Sequence, residues 1–143
     1  MVALCDNVNQ GIVPVPIKIG NGQDPANNLY WGCGFGVKTF FKKQANWKLI
    51  KQIKNPDIQI YERLVFKHDE FPVYMIADAY DGAAIRQTIT DFLNYAAGLN
   101  KIQIDVDAEK ITGGGNADLI CYVGHDGLMD FSLNIDFHGI NSL

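Results

Sequence analysis

Three short stretches of the chain carry side chains suited to chemistry: Cys5-Asp6-Asn7, Asp78 with Asp81, and Gly124-His125-Asp126-Gly127. The last has the most specific pattern. Small residues around an imidazole let the backbone turn sharply and present the ring, and a histidine so presented serves as a general base near neutral pH. The same pattern suits a histidine that only hydrogen-bonds its own turn, and the two readings stand level. A nucleophile would have to be one of three thiols. Cys5 is the best placed, at the end of an apolar run. Cys33 falls in a glycine-rich string and Cys121 inside an apolar run, and for all three a small buried hydrophobe is the commoner role. Asp6, Asn7, Asp78, Gly124, Asp126 and Gly127 are the candidate lining of a ligand crevice. Asp78, Asp81, His125, Asp126 and Asp130 include oxygen donors that a hard divalent cation takes. Spacing does not bring them together, solvated carboxylates are the simpler reading, and no metal or cofactor is expected.

These residues need elements to position them. Met1 to Cys5 is an apolar run read as a buried strand, and the turn pair Asp6-Asn7 ends it. Val8 to Asn28 holds Pro14, Pro16, Pro25, Gly11, Gly20 and Gly22, a composition that resists helix and central strand and predicts a long loop. Leu29 to Lys43 reads as a helix, with Leu29, Cys33, Val37, Phe40 and Phe41 on one face and Gly32 and Gly36 allowing close packing rather than phosphate binding. Trp47 to Ile53 and Ile58 to Tyr61 suit half-exposed strands. Glu62 to Lys67 and Val73 to Ala79 form a hairpin around His68 to Pro72. Asp81 then caps the clearest helix, Gly82 to Ala97, whose stripe of Ala84, Ile85, Thr88, Ile89, Phe92, Leu93 and Ala96 ends at Gly98. Ile102 to Val106 alternates as an edge strand, Gly113 to Gly115 breaks the chain, and Asp118 to Val123 reads as a strand buried on both faces. His68 belongs to a charged turn, and His138 carries no recognisable pattern.

Composition narrows the function. A net charge of −4 lacks the positive field that phosphate backbones attract, so nucleic acid is an improbable partner. No apolar run is long enough to span a bilayer and no secretory signal opens the chain, which predicts a cytoplasmic protein without a membrane partner. Three cysteines without CxxC spacing indicate neither a disulfide framework nor a zinc knuckle. With 143 residues, no repeat and no linker, one α/β domain is expected.

At DLICYVGHDG, taken with VYMIADAYDG and the helix after it, the chain resembles the caspase-like fold of clan CD cysteine peptidases. The strings NLYWGCGFGVKTFF and VGHDGLMDF also look like those of uncharacterised bacterial proteins of this fold. The resemblance implies an α/β sandwich in which one hydrophobic strand ends in a catalytic histidine, matched here by His125, and the next ends in Ala-Cys. The chain departs from that pattern in placing Asp126 between His125 and Gly127, and sixteen residues without a cysteine follow Gly127.

The expected fold is thus a three-layer α/β sandwich with a mixed, mainly parallel sheet, caspase-like or Rossmann-like, forming one domain or the N-terminal portion of a larger one. The expected function is a caspase-like domain without a complete Cys–His dyad. The alternative is a non-enzymatic ligand- or partner-binding module that uses the strand-end crevice and the aromatics Tyr30 and Trp31 to hold a protein or peptide. A third reading is a metal-assisted hydrolase.

Overall fold

Strands in this chain are made where β-branched and aromatic residues alternate with lysines and glutamates, and the longest of them lie next to one another in sequence. A computed structural model describes residues 1–11 and 14–134; His138 lies outside the described residues. The elements in order are β1 (Val2–Ala3), α1 (Val37–Lys43), β2 (Trp47–Asp57), β3 (Ile60–His68), β4 (Tyr74–Tyr80), α2 (Ile85–Ala96), β5 (Lys101–Val106) and β6 (Glu109–Gly114). β1 to β4 form one sheet in the order β1-β4-β3-β2, and β5 and β6 form a separate hairpin. Among the strands of the described residues, β1 and β4 pair in parallel, while β2–β3, β3–β4 and β5–β6 are antiparallel.

The expected mainly parallel three-layer sandwich is therefore corrected to a small mixed α/β fold with a mostly antiparallel sheet and, among the described residues, two α-helices. The physical cause is connection length. β2, β3 and β4 follow one another through short turns, and a tight turn joins only antiparallel neighbours, whereas a parallel pair needs a long crossover. β2 extends the expected strand from Trp47 past Ile53 to Asp57, and the expected strand Ile58 to Tyr61 is divided between the turn after β2 and the start of β3 at Ile60.

One sheet face packs Val2, Leu4, Leu64, Phe66, Ala77 and Ala79 against Trp31, with Val37 and Phe41 of α1 at its margin. Opposite, Val65 meets Ile104, Val106 and Ile111 of the hairpin, and Ala3 meets Ile85 and Ile89 of α2. Burying an aromatic as large as Trp31 or Phe66 contributes roughly 1.5–3 kcal/mol each.

The expected helix from Leu29 shrinks to Val37–Lys43, because residues 29–36 form a chain of turns. A Cβ on Gly32 would lie 2.2 Å from the Ala26 carbonyl, and one on Gly36 would lie 2.3 Å from the Trp31 carbonyl. These glycines do serve close packing, though of loop on loop. α2 matches its expected stripe: Ile85, Thr88 and Ile89 are buried, Asp81 accepts from the Ala83 N–H in a short 3₁₀ turn before the helix, and Gly98 takes φ 79° just beyond it.

The segment 118–123 is the second correction. It makes one parallel bridge, Val123 with Val2, and Leu119 is 78% exposed, so it lies at the sheet's margin instead of its centre. Its apolar run signals a buried strand, but burial depends on what packs above it. Residues expected to break the chain, Gly113 and Gly114, instead end strand β6. Gly113 lies against the Ile76 side chain, whose Cδ1 is 2.6 Å from where a Cβ would stand.

Candidate functional site

The parallel bridges bring the first and third chemical stretches together. The Ala3 N–H donates to the Val123 carbonyl and the Val123 N–H to the Met1 carbonyl, both at 2.9 Å, so residues following β1 and residues following Val123 emerge side by side. β4 lies on the other side of β1, with Val2 opposite Ala79 and Ala3 opposite Tyr80. Asp6, Asn7, Asp81 and the turn from Gly124 to Gly127 thus leave the same end of three adjacent parallel segments, where open α/β sheets hold ligands.

The crevice at that end is occupied by the chain itself. Asp6 is buried and accepts from the backbone N–H groups of Val8 and Asn9, from Asn9 Nδ2 and from Gln23 Nε2. Burial alone would raise its pKa, but these donors outweigh burial and hold the carboxyl below its ordinary value. Gln23 Nε2 also donates to Asp81 Oδ1, and the Tyr61 hydroxyl donates to Asp81 Oδ2. Burial and the Asp81 carboxylate push the Tyr61 phenol up to about 12. Asn7 Nδ2 donates to the Val15 carbonyl at 2.6 Å. Gly22 sits where a Cβ would meet Asp6 Oδ2 at 2.4 Å, so the long loop seals the strand ends with backbone.

Cys5 is fully buried. Burial, with the Asp6 charge beside it, pushes its thiol up, against an opposing hydrogen bond from Tyr30. Its backbone is clamped by one side chain: Asn28 Oδ1 accepts from the Cys5 N–H at 3.0 Å and Asn28 Nδ2 donates to the Cys5 carbonyl at 2.9 Å. A carboxamide thereby replaces a neighbouring strand beyond the end of β1. Gln10 performs a similar task, donating through Nε2 to the carbonyls of Leu4 and Gly82 and accepting from the Asp6 N–H.

His125 is half-buried, and its Nε2 lies 2.7 Å from Asp130 Oδ2. An imidazole oriented by a carboxylate is two thirds of a nucleophilic triad and can accept a proton. No thiol completes it among the hydrogen bonds of the described residues. Asp126 is exposed and caps the next turn through the Leu128 N–H. Gly124 and Gly127 are packing residues. A Cβ on Gly124 would meet the Tyr122 hydroxyl at 2.5 Å, and one on Gly127 would meet the Phe131 ring at 2.7 Å. Asp78 does not reach this end. It lies within β4 and takes a two-bond clamp from Arg63, with Nε to Oδ1 and Nη2 to Oδ2 both at 2.7 Å. The acidic set once open to a cation is dispersed, and no group of three or more His, Cys, Asp or Glu converges among the described residues.

The remaining thiols also have ordinary surroundings. Cys33 Sγ donates to the Leu29 carbonyl, and Cys121 is exposed. Trp31, expected as an exposed partner contact, is fully buried, and Tyr30 is half-buried beside Cys5. A charge centre that no sequence motif marks is buried Glu62 with Lys38 and Lys54; its one signal in the sequence is a glutamate within an otherwise apolar strand face. Among known proteins, no family model, no curated protein and no solved structure matches this chain. No helix of the described residues is long and apolar enough to cross a membrane.

Proposed function

We propose that this chain is a non-catalytic protein-binding domain that resembles caspase-like peptidases in its sequence strings but does not work as a Cys–His peptidase. One observation carries the reading: Cys5, the best-placed thiol, is fully buried and held protonated, while His125 directs Nε2 to Asp130. A thiol in that state is a poor nucleophile. A partner protein is favoured over a small molecule because Gly20, Gly22 and Gln23 of the long loop close the crevice against Asn7 and Asp6.

The test is iodoacetamide labelling at neutral pH, resolved for each cysteine by mass spectrometry, in the native protein and in His125→Ala. Cys121 should react first, Cys5 should react only after denaturation, and the histidine substitution should change neither rate. Rapid His125-dependent alkylation of Cys5 would sink the proposal.

A further inference from the structure

Charge is unevenly divided along the chain. Residues 25–56 contain six lysines and neither Asp nor Glu, so this stretch carries +6 and, with a total of −4, the remainder carries −10. It folds into α1 and β2, and β2 is the outer strand of the sheet. Lys38 and Lys54 turn inward to Glu62, and Lys51 donates to the Asp105 carbonyl. Lys42, Lys43 and Lys48 are exposed and join no ion pair among the described residues. Lys48 also stands opposite Lys67 on β3, a like-charge neighbour that costs a sheet stability.

Two further features lie along this edge. Among the described residues, no backbone hydrogen bond from outside the β2–β3 ladder reaches residues 48–57. Beside its first residue runs a row of rings, Phe40, Phe41, Trp47, His68 and Phe71, with neighbouring centroids 5.0 to 5.7 Å apart. The ends of the row, Phe40 and Phe71, are 46% and 59% exposed. Trp47 faces the side covered by α1, so Lys48 faces the other, and lysines flank the edge on both sides.

Lysines on an edge repel a second copy of the same edge while leaving its donors and acceptors open to a strand of opposite charge. We propose that the β2 edge docks an extended acidic segment of a partner protein. Its backbone adds a strand to the sheet, its carboxylates meet Lys48 on one face and Lys42 and Lys43 on the other, and an apolar residue rests on Phe40. The proposal rests on the protein-binding reading above and names the partner's chemistry.

The probe is a short synthetic peptide of alternating Glu and Val, titrated into the isotope-labelled protein, with its Lys–Val counterpart as control. Amide shifts and slowed hydrogen exchange should concentrate in residues 48–54. Lys42→Glu, Lys43→Glu and Lys48→Glu together should weaken binding by about tenfold or more, as should high salt. Absence of binding, equal binding of the Lys–Val peptide, or shifts confined to another face would overturn it. So would sedimentation showing a dimer joined through β2. Cysteine labelling reads the non-catalytic proposal without the peptide, so either reading can fail separately.

Discussion

The indole N–H of Trp31 donates to Glu62 Oε2 at 2.7 Å, joining a residue of the glycine-rich turns to the middle of the sheet with both side chains buried. Lys38 and Lys54 complete the carboxylate's shell at 2.8 Å each, and Gln52 also donates to it. Glu62 therefore ties α1, β2 and the turn region to β3 at one point. Removing its charge strands the buried Trp31 donor and the half-buried Lys38. Glu62→Leu should cost about 3–5 kcal/mol in urea unfolding, the range for breaking a buried pair. In a double-mutant cycle Trp31→Phe and Glu62→Gln should couple by roughly 0.5–3 kcal/mol; additive losses would show that the contact carries no energy.

The same carboxyl makes stability acid-sensitive. Burial raises its pKa, but hydrogen bonds from Lys38, Lys54 and Trp31 prevail and bring it from 4.5 down to about 2. A depressed folded pKa means the contribution is complete above the unfolded value and fades as pH falls from about 4.5 through about 2. The contribution is on the order of 3 kcal/mol. Denaturation curves across that range should show the loss in the native protein and a smaller one in Glu62→Gln. Parallel profiles for the two would refute the assignment.

Glycines two apart in one string should behave oppositely. A Cβ on Gly34 would meet nothing within 4 Å, whereas one on Gly36 would meet three backbone atoms of Trp31 within 2.7 Å. Gly34→Ala should be neutral or stabilise by about 0.4–1 kcal/mol through the unfolded chain. Gly36→Ala should destabilise by more than about 2 kcal/mol, since backbone must move. Thermal unfolding of the two variants compares them directly.

Arg63 and Asp78 face each other across β3 and β4 in register, with side chains only 13% and 4% exposed. Arg63→Met leaves a buried carboxylate alone and should cost about 3–5 kcal/mol. Adding Asp78→Leu should restore most of that loss, because two apolar groups leave no charge unpaired. If the double variant is as unstable as the single one, packing around the guanidinium accounts for the effect instead.

Local features of the fold were legible in the chain. Asp81, the Ile85-Thr88-Ile89 stripe and Gly98 encode α2 within a single run of residues, and alternation encodes the β3–β4 hairpin and β5. The candidate site was legible only as a set of strand ends. Cys5, Asp6 and the His125 turn do emerge together, but Asp78 could not be told from them because its partner, Arg63, lies on another strand.

Residue types thus determined where helix and hairpin form, since capping, periodicity and turn chemistry act within a few residues. Tertiary structure alone decided that β1 is the parallel exception in an antiparallel sheet, that residues 118–123 lie at its margin, and that Trp31 turns inward. It also decided that Cys5 lies sealed beneath a loop while His125 engages Asp130. Each outcome depends on pairing between residues far apart in the chain, and an apolar run has the same composition whether its neighbours cover one face or both.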